Sequence, residues 1–531
     1  MLGGAMSQED PSEQVLARIK NDSAQAALRD WLDAHSATLV PESWTGEGYT
    51  EAQLLGAQLQ VYGASPVVVI VKINPAGGGI REYKAHRRAL ADAPDFARAH
   101  LANLETGYIP VPGGGSVVVQ SPAGGGLDET SQLAAALLTY RSPEDLCRSI
   151  TTSLLVDWNP GAALTVEPSS LGAVLDTALG ARLAETGTIT AWAGGQSGLQ
   201  RNPRPRLSAG PESLVNPFAL IGEDSWGGDE RLNLWHGRSH GDLHPGNLLV
   251  DRRRQSYCLV DLSRYRKDGL LGLDQVYLSL TAVAGAIAGL PQRGRQDLRD
   301  WFLDPVEDIT VEGLPVYLQQ LLVGVDQAVL AWARGQNNVT GWRRQRLICL
   351  TAVALILTGR SKLLPAGSRA WFFELAARAA TRLTERMPGF PGPDDAPTAP
   401  WPSITAPATS GDTPPATVVS LDQRRRERQS APDTQPDPTT AQAEYWTRLA
   451  AQLGAAVFDA PTGSAMTART HGLRLLLAQA PIGTGGDLDR YLAELACALD
   501  DAIRPGISPP DRHAACTRAD RLRAWVLDLL G

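Results

Sequence analysis

Residues 240–251, HGDLHPGNLLVD, and residues 257–261, YCLVD, decide how this chain is expected to fold. Residues 247–250 and 257–260 are short apolar runs separated by a polar turn, which predicts a β-hairpin. That hairpin would return Asn247 and Asp261 to the same end, close enough to share a metal ion. Asp242 can accept a proton from an attacking hydroxyl, and Asn247 and Asp261 offer oxygen ligands for Mg²⁺. The stretch therefore contains the groups that a phosphoryl-transfer site needs.

The histidines of this region allow a different interpretation. His236, His240 and His244 are spaced four residues apart, and on a helix they would align as three zinc ligands. Glycines and a proline alternate with them, which argues against such a helix because both residue types disfavour helical backbone. A loop whose polar groups serve only its own structure is the other alternative.

The motif H-G-D-x-H-x-x-N, with an Asp one hairpin later, resembles the aminoglycoside phosphotransferase and choline kinase group of the kinase-like fold. The resemblance implies an α+β, two-lobed protein-kinase-like fold with a β-rich N-lobe and a helical C-lobe. It also implies ATP and Mg²⁺ as cofactors and an alcohol group of a small molecule as acceptor. Asp242 would be catalytic, Asn247 and Asp261 would bind the metal, and His240 and His244 would organise the loop. Leu and Ser follow Asp261, and no A-P-E segment follows, so the small-molecule branch fits better than a protein kinase.

A kinase-like site also needs nucleotide-binding residues upstream of the catalytic loop. Lys72 is a lone charge in the apolar run 67–73, where it could bind phosphate or extend to water at the strand end. Glu82 opens the next predicted helix, where it could hold Lys72 or favour the helix dipole. Gly46 and Gly48 lie in a segment suited to a phosphate-covering loop between the first two strands, although G-x-G also occurs in ordinary hairpin turns.

Composition narrows the class of protein. The chain has 531 residues and a formal net charge of −8, which argues mildly against a nucleic-acid partner. Its five cysteines are scattered and lack C-x-x-C spacing, which suits a reducing, cytoplasmic location without disulfides or cysteine metal sites. The N-terminus does not read as a signal peptide, and the longest apolar runs are too short to span a bilayer. We therefore expect a soluble bacterial protein without a membrane partner.

Hydrophobic periodicity predicts the order of elements. Residues 12–38 are predicted to form helices, residues 54–62, 67–73 and 116–120 strands, and residues 81–91 a helix. After about residue 125 helices dominate, including one that opens at Asp274, where the default role of the aspartate is to stabilise the helix N-terminus. Residues 195–235, rich in Pro, Gly and Arg, either line the acceptor pocket or form a surface insertion.

These patterns predict five segments. They are an N-terminal helical extension (1–40), the N-lobe (41–122), the C-lobe (123–392), a disordered Pro/Thr-rich linker (393–440) and a small helical interaction domain (441–531). The linker and the helical tail are unusual for a stand-alone enzyme, and with them the chain loosely resembles kinase-like domains of bacterial ternary-complex signalling or conflict systems. The alternative function is therefore a regulatory or adaptor component whose residues 441–531 recruit a protein partner.

Overall fold

The computed structural model describes residues 10–47, 52–75, 79–196, 199, 204–209, 212–228, 230–251, 253–254, 256–306, 308–385, 387, 390–392 and 398–402. The side chains of residues 45–47 and 400 are outside this description. The chain divides into two compact units, Met1–Val418 and Val419–Gly531, and all described residues belong to the first. The predicted interaction domain, 441–531, and nearly all of the predicted linker, 393–440, lie outside the described residues.

The first part of the chain is a β-rich lobe. It contains α1 (Pro11–Leu16), α2 (Asp22–Ala34), β1 (Ala37–Glu47), β2 (Gln53–Val61), β3 (Val67–Asn74), α3 (Gly79–Asp92), α4 (Pro94–His100), β4 (Ile109–Val111) and β5 (Gly115–Gln120). The strands form one antiparallel sheet in the order β1-β2-β3-β5-β4. The predicted strands at 54–62, 67–73 and 116–120 and the predicted helix at 81–91 are therefore confirmed to within a few residues.

The two N-terminal helices share a hydrophobic core with this sheet. Val15, Leu16 and Leu28 are buried together with Leu55 and Val71 of the central strands. Asn21 caps α2 by accepting a hydrogen bond from the Ala24 N–H at 2.9 Å, which explains why the helix begins there. Residues 10–34 thus pack on the first sheet and share its core.

The second part of the chain is mainly helical. It contains β6 (Thr130–Gln132), α5 (Leu133–Leu137), α6 (Pro143–Val156), β7 (Thr165–Ser170), α7 (Leu171–Leu179), α8 (Thr188–Gly194), β8 (Arg206–Ala209), β9 (Glu212–Val215), β10 (Arg231–Ser239), β11 (Leu248–Asp251), β12 (Ser256–Leu259), β13 (Arg266–Leu270), α9 (Leu273–Val283), α10 (Gln292–Leu303), α11 (Val316–Gly335), α12 (Val339–Thr358), α13 (Ala366–Thr384) and β14 (Thr398–Pro400). The fold class is accordingly mixed α and β, with the sheet first and the helices later.

Helix α12 is the centre of the second lobe. Its C-terminal half is apolar on all sides and almost fully buried, for example at Ile348, Val353 and Leu355. It packs against α13 and α9. Helix α9 in turn contacts the loop that follows β10 through Asp274. Among the helices of the described ranges, none is long and apolar enough to cross a membrane.

Two further predictions can be compared with the structure. The histidine-containing stretch is a strand and a loop, because His236 lies in β10 and His240 follows its end, so the zinc-binding helix is absent. The segment 195–235 contributes β8 and β9, which form a small sheet with β14. The strand pairing of this segment joins residues 206–208 to residues 398–400.

Candidate active site

The loop that follows β10 is fixed by a tight turn at Gly241. Gly241 has φ +77°, and a Cβ at this position would approach the Arg264 carbonyl oxygen to 2.6 Å. A residue with a side chain would therefore be strained in its backbone and would collide with the segment after Asp261. Glycine is required here because two chain segments pass this close to each other.

Asp274 of α9 holds the same turn through two hydrogen bonds. Its two carboxylate oxygens accept hydrogen bonds from the backbone N–H groups of His240, at 2.6 Å, and Gly241, at 2.8 Å. The carboxylate is buried, and burial raises the pKa of Asp274 despite these hydrogen bonds and the nearby His240. Asp274 is an acidic residue in the first turn of α9, as predicted; its side chain makes no cap of that helix, and it also holds the loop.

Hydrogen bonds within the loop hold Asp242 and Asn247 in a fixed relation. The Asn247 Nδ2 donates to the Asp242 carbonyl oxygen at 3.0 Å, and the His244 N–H donates to that same oxygen at 3.0 Å. The Gly246 N–H donates to His244 Nδ1 at 3.1 Å, and His240 Nε2 is 2.9 Å from the Val260 carbonyl oxygen. Both histidines thus make hydrogen bonds with backbone groups of the loop or of the segment beside it.

The predicted hairpin is formed by β11 and β12, whose register pairs Leu248 with Leu259. The pairing continues one step beyond the strands, because the Val260 N–H donates to the Asn247 carbonyl oxygen at 3.1 Å. Asn247 and Asp261 are consequently at the same end of the hairpin, as the sequence predicts. Asp261 adopts the left-handed conformation, with φ 58° and ψ 61°, which turns the chain sharply after the strand.

The oxygen atoms of this hairpin end suit Mg²⁺. The Asn247 amide uses its nitrogen for the loop, so its carbonyl oxygen is the atom left for a metal. Within the described residues no hydrogen bond or ion pair engages the Asp261 carboxylate. The described ranges contain no group of three His, Cys, Asp or Glu that could hold a metal, but Mg²⁺ commonly takes one or two protein ligands and completes its shell with water and phosphate. The two residues therefore fit the ion.

Asp242 is surrounded by cationic and hydroxyl groups. Its Oδ1 is 3.5 Å from Arg360 Nη2 and its Oδ2 is 3.8 Å from Arg264 Nε, and its side chain is 18% exposed. Burial raises the pKa of Asp242, but the Tyr277 hydroxyl and the two guanidinium groups outweigh burial, so the pKa is lowered overall. Asp242 is thus ionised at neutral pH and is positioned to orient a hydroxyl through a charged hydrogen bond.

Lys72 of β3 and Glu82 of α3 form an ion pair in which the Lys72 Nζ donates to Glu82 Oε1. Their side chains are 14% and 18% exposed, so the pair is largely shielded from water. A shielded pair fixes the ammonium position more firmly than a surface pair would, because water competes less for either partner. The geometry favours Glu82 as the residue that holds Lys72. It also favours a Lys72 side chain that stays within the protein over one that extends to water.

Helix α3 connects this pair to the end of the hairpin that carries Asp261. It packs against the short turn that follows Asp261 and against β13. At its C-terminus, the Asp92 carboxylate accepts a hydrogen bond from Tyr265 Oη at 2.9 Å, and the Asp92 carbonyl oxygen accepts one from Arg238 Nη2 at 2.5 Å. The ion pair of the first lobe and the loop of the second are therefore parts of one packed arrangement.

The glycine pair of the predicted covering loop is only partly described. Gly46 lies in β1, opposite Leu54 of β2, and Gly48 lies outside the described residues. The segment does connect the first two strands of the sheet, as expected for a covering loop. Within the described residues, the paired neighbour of Gly46 is a residue of β2.

Sequence reasoning did not identify three arginines near Asp242. Arg264 and Arg360 pair with its carboxylate, and Arg182 lies near enough for its charge to interact with that of Asp242. Arg182 and Arg360 come from segments far from the motif in sequence, with no spacing pattern to mark them. Arg264 lies three residues after Asp261, and its proximity to the motif was the one available signal.

Comparison with known proteins adds little to this geometry. No protein-family model and no curated protein matches the chain. Among solved structures, an ethanolamine kinase of Plasmodium vivax is similar at 10% identity and a TM-score of 0.32, over 71% of this chain and 98% of that chain. A TM-score of this size carries no argument, so the site must be interpreted from its own residues.

Proposed function

We propose that this protein is a phosphotransferase with a two-lobed, kinase-like fold that uses Mg-ATP to phosphorylate an alcohol group of a small molecule. The proposal rests chiefly on one observation, the shielded ion pair of Lys72 and Glu82. Glu82 lies on α3, the helix that packs against the turn after Asp261. A lysine held by a glutamate, together with a loop that carries Asp and Asn, supplies the groups that phosphoryl transfer from ATP requires.

The chain's residues divide the chemistry among them. Lys72 binds phosphate oxygens of ATP, and Glu82 keeps its ammonium group in place. Asn247 and Asp261 would hold Mg²⁺, which neutralises phosphate charge when it is bound. Asp242 accepts a hydrogen bond from the acceptor hydroxyl and thereby directs its oxygen at the γ-phosphorus.

The transfer itself makes and breaks one bond to phosphorus. The acceptor oxygen bonds to the γ-phosphorus while the bond from that phosphorus to the bridging oxygen of ADP breaks. The hydroxyl proton passes to Asp242, and ADP leaves with the electron pair of the broken bond. Because the pKa of Asp242 is lowered, its main contribution is orientation, with proton removal late in the transfer.

The test compares acceptor-dependent ADP release by the wild type and Asp242→Asn across a panel of hydroxyl metabolites and aminoglycosides. We expect the variant to lose about 10²–10⁴-fold in kcat, because the amide neither takes the proton nor attracts the hydroxyl hydrogen as strongly. Asp95→Asn is the matched control, since its side chain is 92% exposed on α4. Equal ADP release by wild type and Asp242→Asn would refute the mechanism.

A further inference from the structure

A large cleft opens beside the catalytic loop. Its volume is about 1040 Å³, which is enough for a metabolite of the size of a sugar phosphate or larger. Its walls come from α3, from β7 and α7, from the segment around Arg182, and from the chain between Ser263 and Leu270. The described part of the 195–235 segment contributes Arg231 alone to this lining, so the wall is built mainly by residues outside that segment.

Two residues that line the cleft are neighbours of the Asp242 carboxylate. Gly241, which immediately precedes Asp242, lines the cleft. Arg264 also lines it, and its Nε is 3.8 Å from Asp242 Oδ2. A molecule bound in the cleft can therefore bring a hydroxyl to Asp242 without entering the space beneath the Lys72 strand, since no residue of β1, β2 or β3 forms part of the wall.

One face of α3 supplies unpaired positive charge to this cleft. Arg81, Lys84 and Arg88 are spaced three and four residues apart, so they project from the same side of the helix. All three are exposed, and none has a carboxylate partner in the part of the chain that the structure describes. The acidic lining residues are Glu167 and Asp268, and Asp268 is already 3.6 Å from Arg266.

Arg182 is the lining cation with the clearest unused hydrogen-bond donor. Among the described residues its buried Nη2 has no hydrogen-bond partner, and its Nη1 makes one long contact, 3.5 Å, to the Leu179 carbonyl oxygen. Burial, together with the nearby Arg264 and Arg360, lowers the pKa of Arg182 to about 10. A buried guanidinium donor without an acceptor is costly, and an anion in the cleft would satisfy it.

The surplus of cations is local. The whole chain carries a formal charge of −8, so a cleft rich in Arg and Lys is not a consequence of a generally basic protein. A cationic acceptor would be repelled by these side chains, and a neutral polyol would offer Arg182 only uncharged hydroxyl acceptors, which form weaker hydrogen bonds with a guanidinium than an anion does. The positive charge of the cleft therefore disfavours a positively charged substrate.

We propose that the acceptor is an anion, namely a hydroxyl compound that bears a phosphate or carboxylate group. The anionic group binds Arg182 and the cationic face of α3, and the hydroxyl group reaches Asp242. The choice of acceptor rests on the proposed phosphotransferase function, whereas anion binding by the cleft does not depend on catalysis.

The binding test uses isothermal titration calorimetry with ribose 5-phosphate, gluconate, ribose and choline, without nucleotide and with a saturating non-hydrolysable ATP analogue and Mg²⁺. We expect ribose 5-phosphate, gluconate or both to bind, and ribose and choline to bind at least about tenfold more weakly. A preference for ribose 5-phosphate identifies the phosphate group, and one for gluconate identifies the carboxylate. Equal binding of ribose, or tighter binding of choline, would overturn the inference.

Charge reversal on α3 locates the bound anion. Lys84→Glu should weaken anion binding about tenfold or more, and Arg182→Gln should weaken it as well, because each removes a cation of the cleft. Arg87→Glu is the matched control, since Arg87 lies on the same helix but contacts the Tyr83 ring and does not line the cleft. Unchanged anion affinity in both Lys84→Glu and Arg182→Gln, with folding verified by circular dichroism, would also overturn the inference.

Turnover separates this inference from the proposed function. Fastest phosphorylation of an anionic hydroxyl compound supports both. Fastest phosphorylation of choline would keep the phosphotransferase function and refute the anionic acceptor. Anion binding that depends on Lys84, without phosphoryl transfer to any acceptor, would refute the phosphotransferase function and the acceptor role while establishing the cleft as an anion site.

Discussion

Asp261 combines a strained backbone with a carboxylate that the described protein atoms leave unpaired. Its φ of 58° is uncommon for residues other than glycine, asparagine and aspartate, so the position favours a short polar side chain on conformational grounds alone. The proposed Mg²⁺ site favours aspartate over glycine or asparagine here, since only aspartate adds a negative charge beside Asn247.

We predict that Asp261→Asn weakens Mg-ATP binding by about tenfold or more, because the ion loses a charged ligand while the backbone keeps its conformation. Calorimetric titration with ATP in the presence and absence of Mg²⁺ measures the effect, which should be confined to the Mg²⁺ titration. Asp268→Asn, in the exposed strand β13, is the control variant. Equal Mg-ATP affinity in wild type and Asp261→Asn would remove Asp261 from the metal site.

At the scale of single residues, the sequence predicts those parts of the site that lie within a local motif. Asp242, Asn247 and Asp261 occur within one loop and one hairpin, whose spacing alone restricts their relative positions. Arg182 and Arg360 could not be predicted, because an interaction between a carboxylate and arginines far away in the sequence leaves no periodic signal.

Among the elements, α9 illustrates how a helix prediction leaves a second role of its residues open. The helix at residues 273–283 matches its predicted position closely. In addition, the Asp274 carboxylate accepts hydrogen bonds from two N–H groups of the loop that follows β10. Propensity rules describe an aspartate relative to its own helix, and they contain no information on which neighbouring loop competes for it.

We predict that Asp274→Asn lowers kcat more than it raises KM. The amide replaces one of the two oxygens that accept backbone N–H groups from the loop that carries Asp242, so at least one of those donors loses its acceptor. The free energy of unfolding should fall by about 1–3 kcal/mol for each donor left unsatisfied, measured by urea unfolding. Asp176→Asn, exposed on α7, should change neither property. Wild-type kcat with a lowered stability would show that Asp274 supports the fold without positioning the loop.

Helix α3 also contains a titratable group that makes this element sensitive to acid. His86 is buried, its Nε2 is 2.8 Å from the Ala102 carbonyl oxygen, and burial lowers its pKa to about 4. The unfolded chain takes up the proton near the ordinary value of 6.5, whereas the folded chain resists it. Stability that is present above pH 6.5 is therefore lost as the pH falls towards 4.

We predict that His86→Gln removes part of this acid sensitivity, because glutamine does not titrate and still can donate to Ala102. Between pH 7 and pH 4 the free energy of unfolding of the wild type should fall by roughly 3 kcal/mol more than that of the variant. Urea unfolding at a series of pH values measures the difference, with exposed His35→Gln as control. Parallel pH profiles for wild type and His86→Gln would contradict the prediction.

For the molecule as a whole, hydrophobic periodicity is sufficient to predict the order of a β-rich lobe and a helical lobe. Each apolar run restricts only its own element, so the packing between elements stays open at the sequence level. Helices α1 and α2 show this limit, because their apolar faces predict that they are buried without indicating against which surface. The cleft beside Asp242 shows it again, since its wall combines Lys84, Arg182 and Arg264 from three separate segments.

The packing of α2 against the first sheet leads to a prediction about the whole N-lobe. Leu28 is fully buried in the core that α1 and α2 share with the sheet, so Leu28→Ala should lower the free energy of unfolding by about 2–5 kcal/mol. Asp30→Ala, on the exposed side of the same helix, should change it by less than about 0.5 kcal/mol. Urea unfolding monitored by tryptophan fluorescence compares them. Equal stability of Leu28→Ala and Asp30→Ala would show that the N-terminal helices are dispensable for the lobe, whereas a selective loss in Leu28→Ala shows that the sheet bearing Lys72 depends on them.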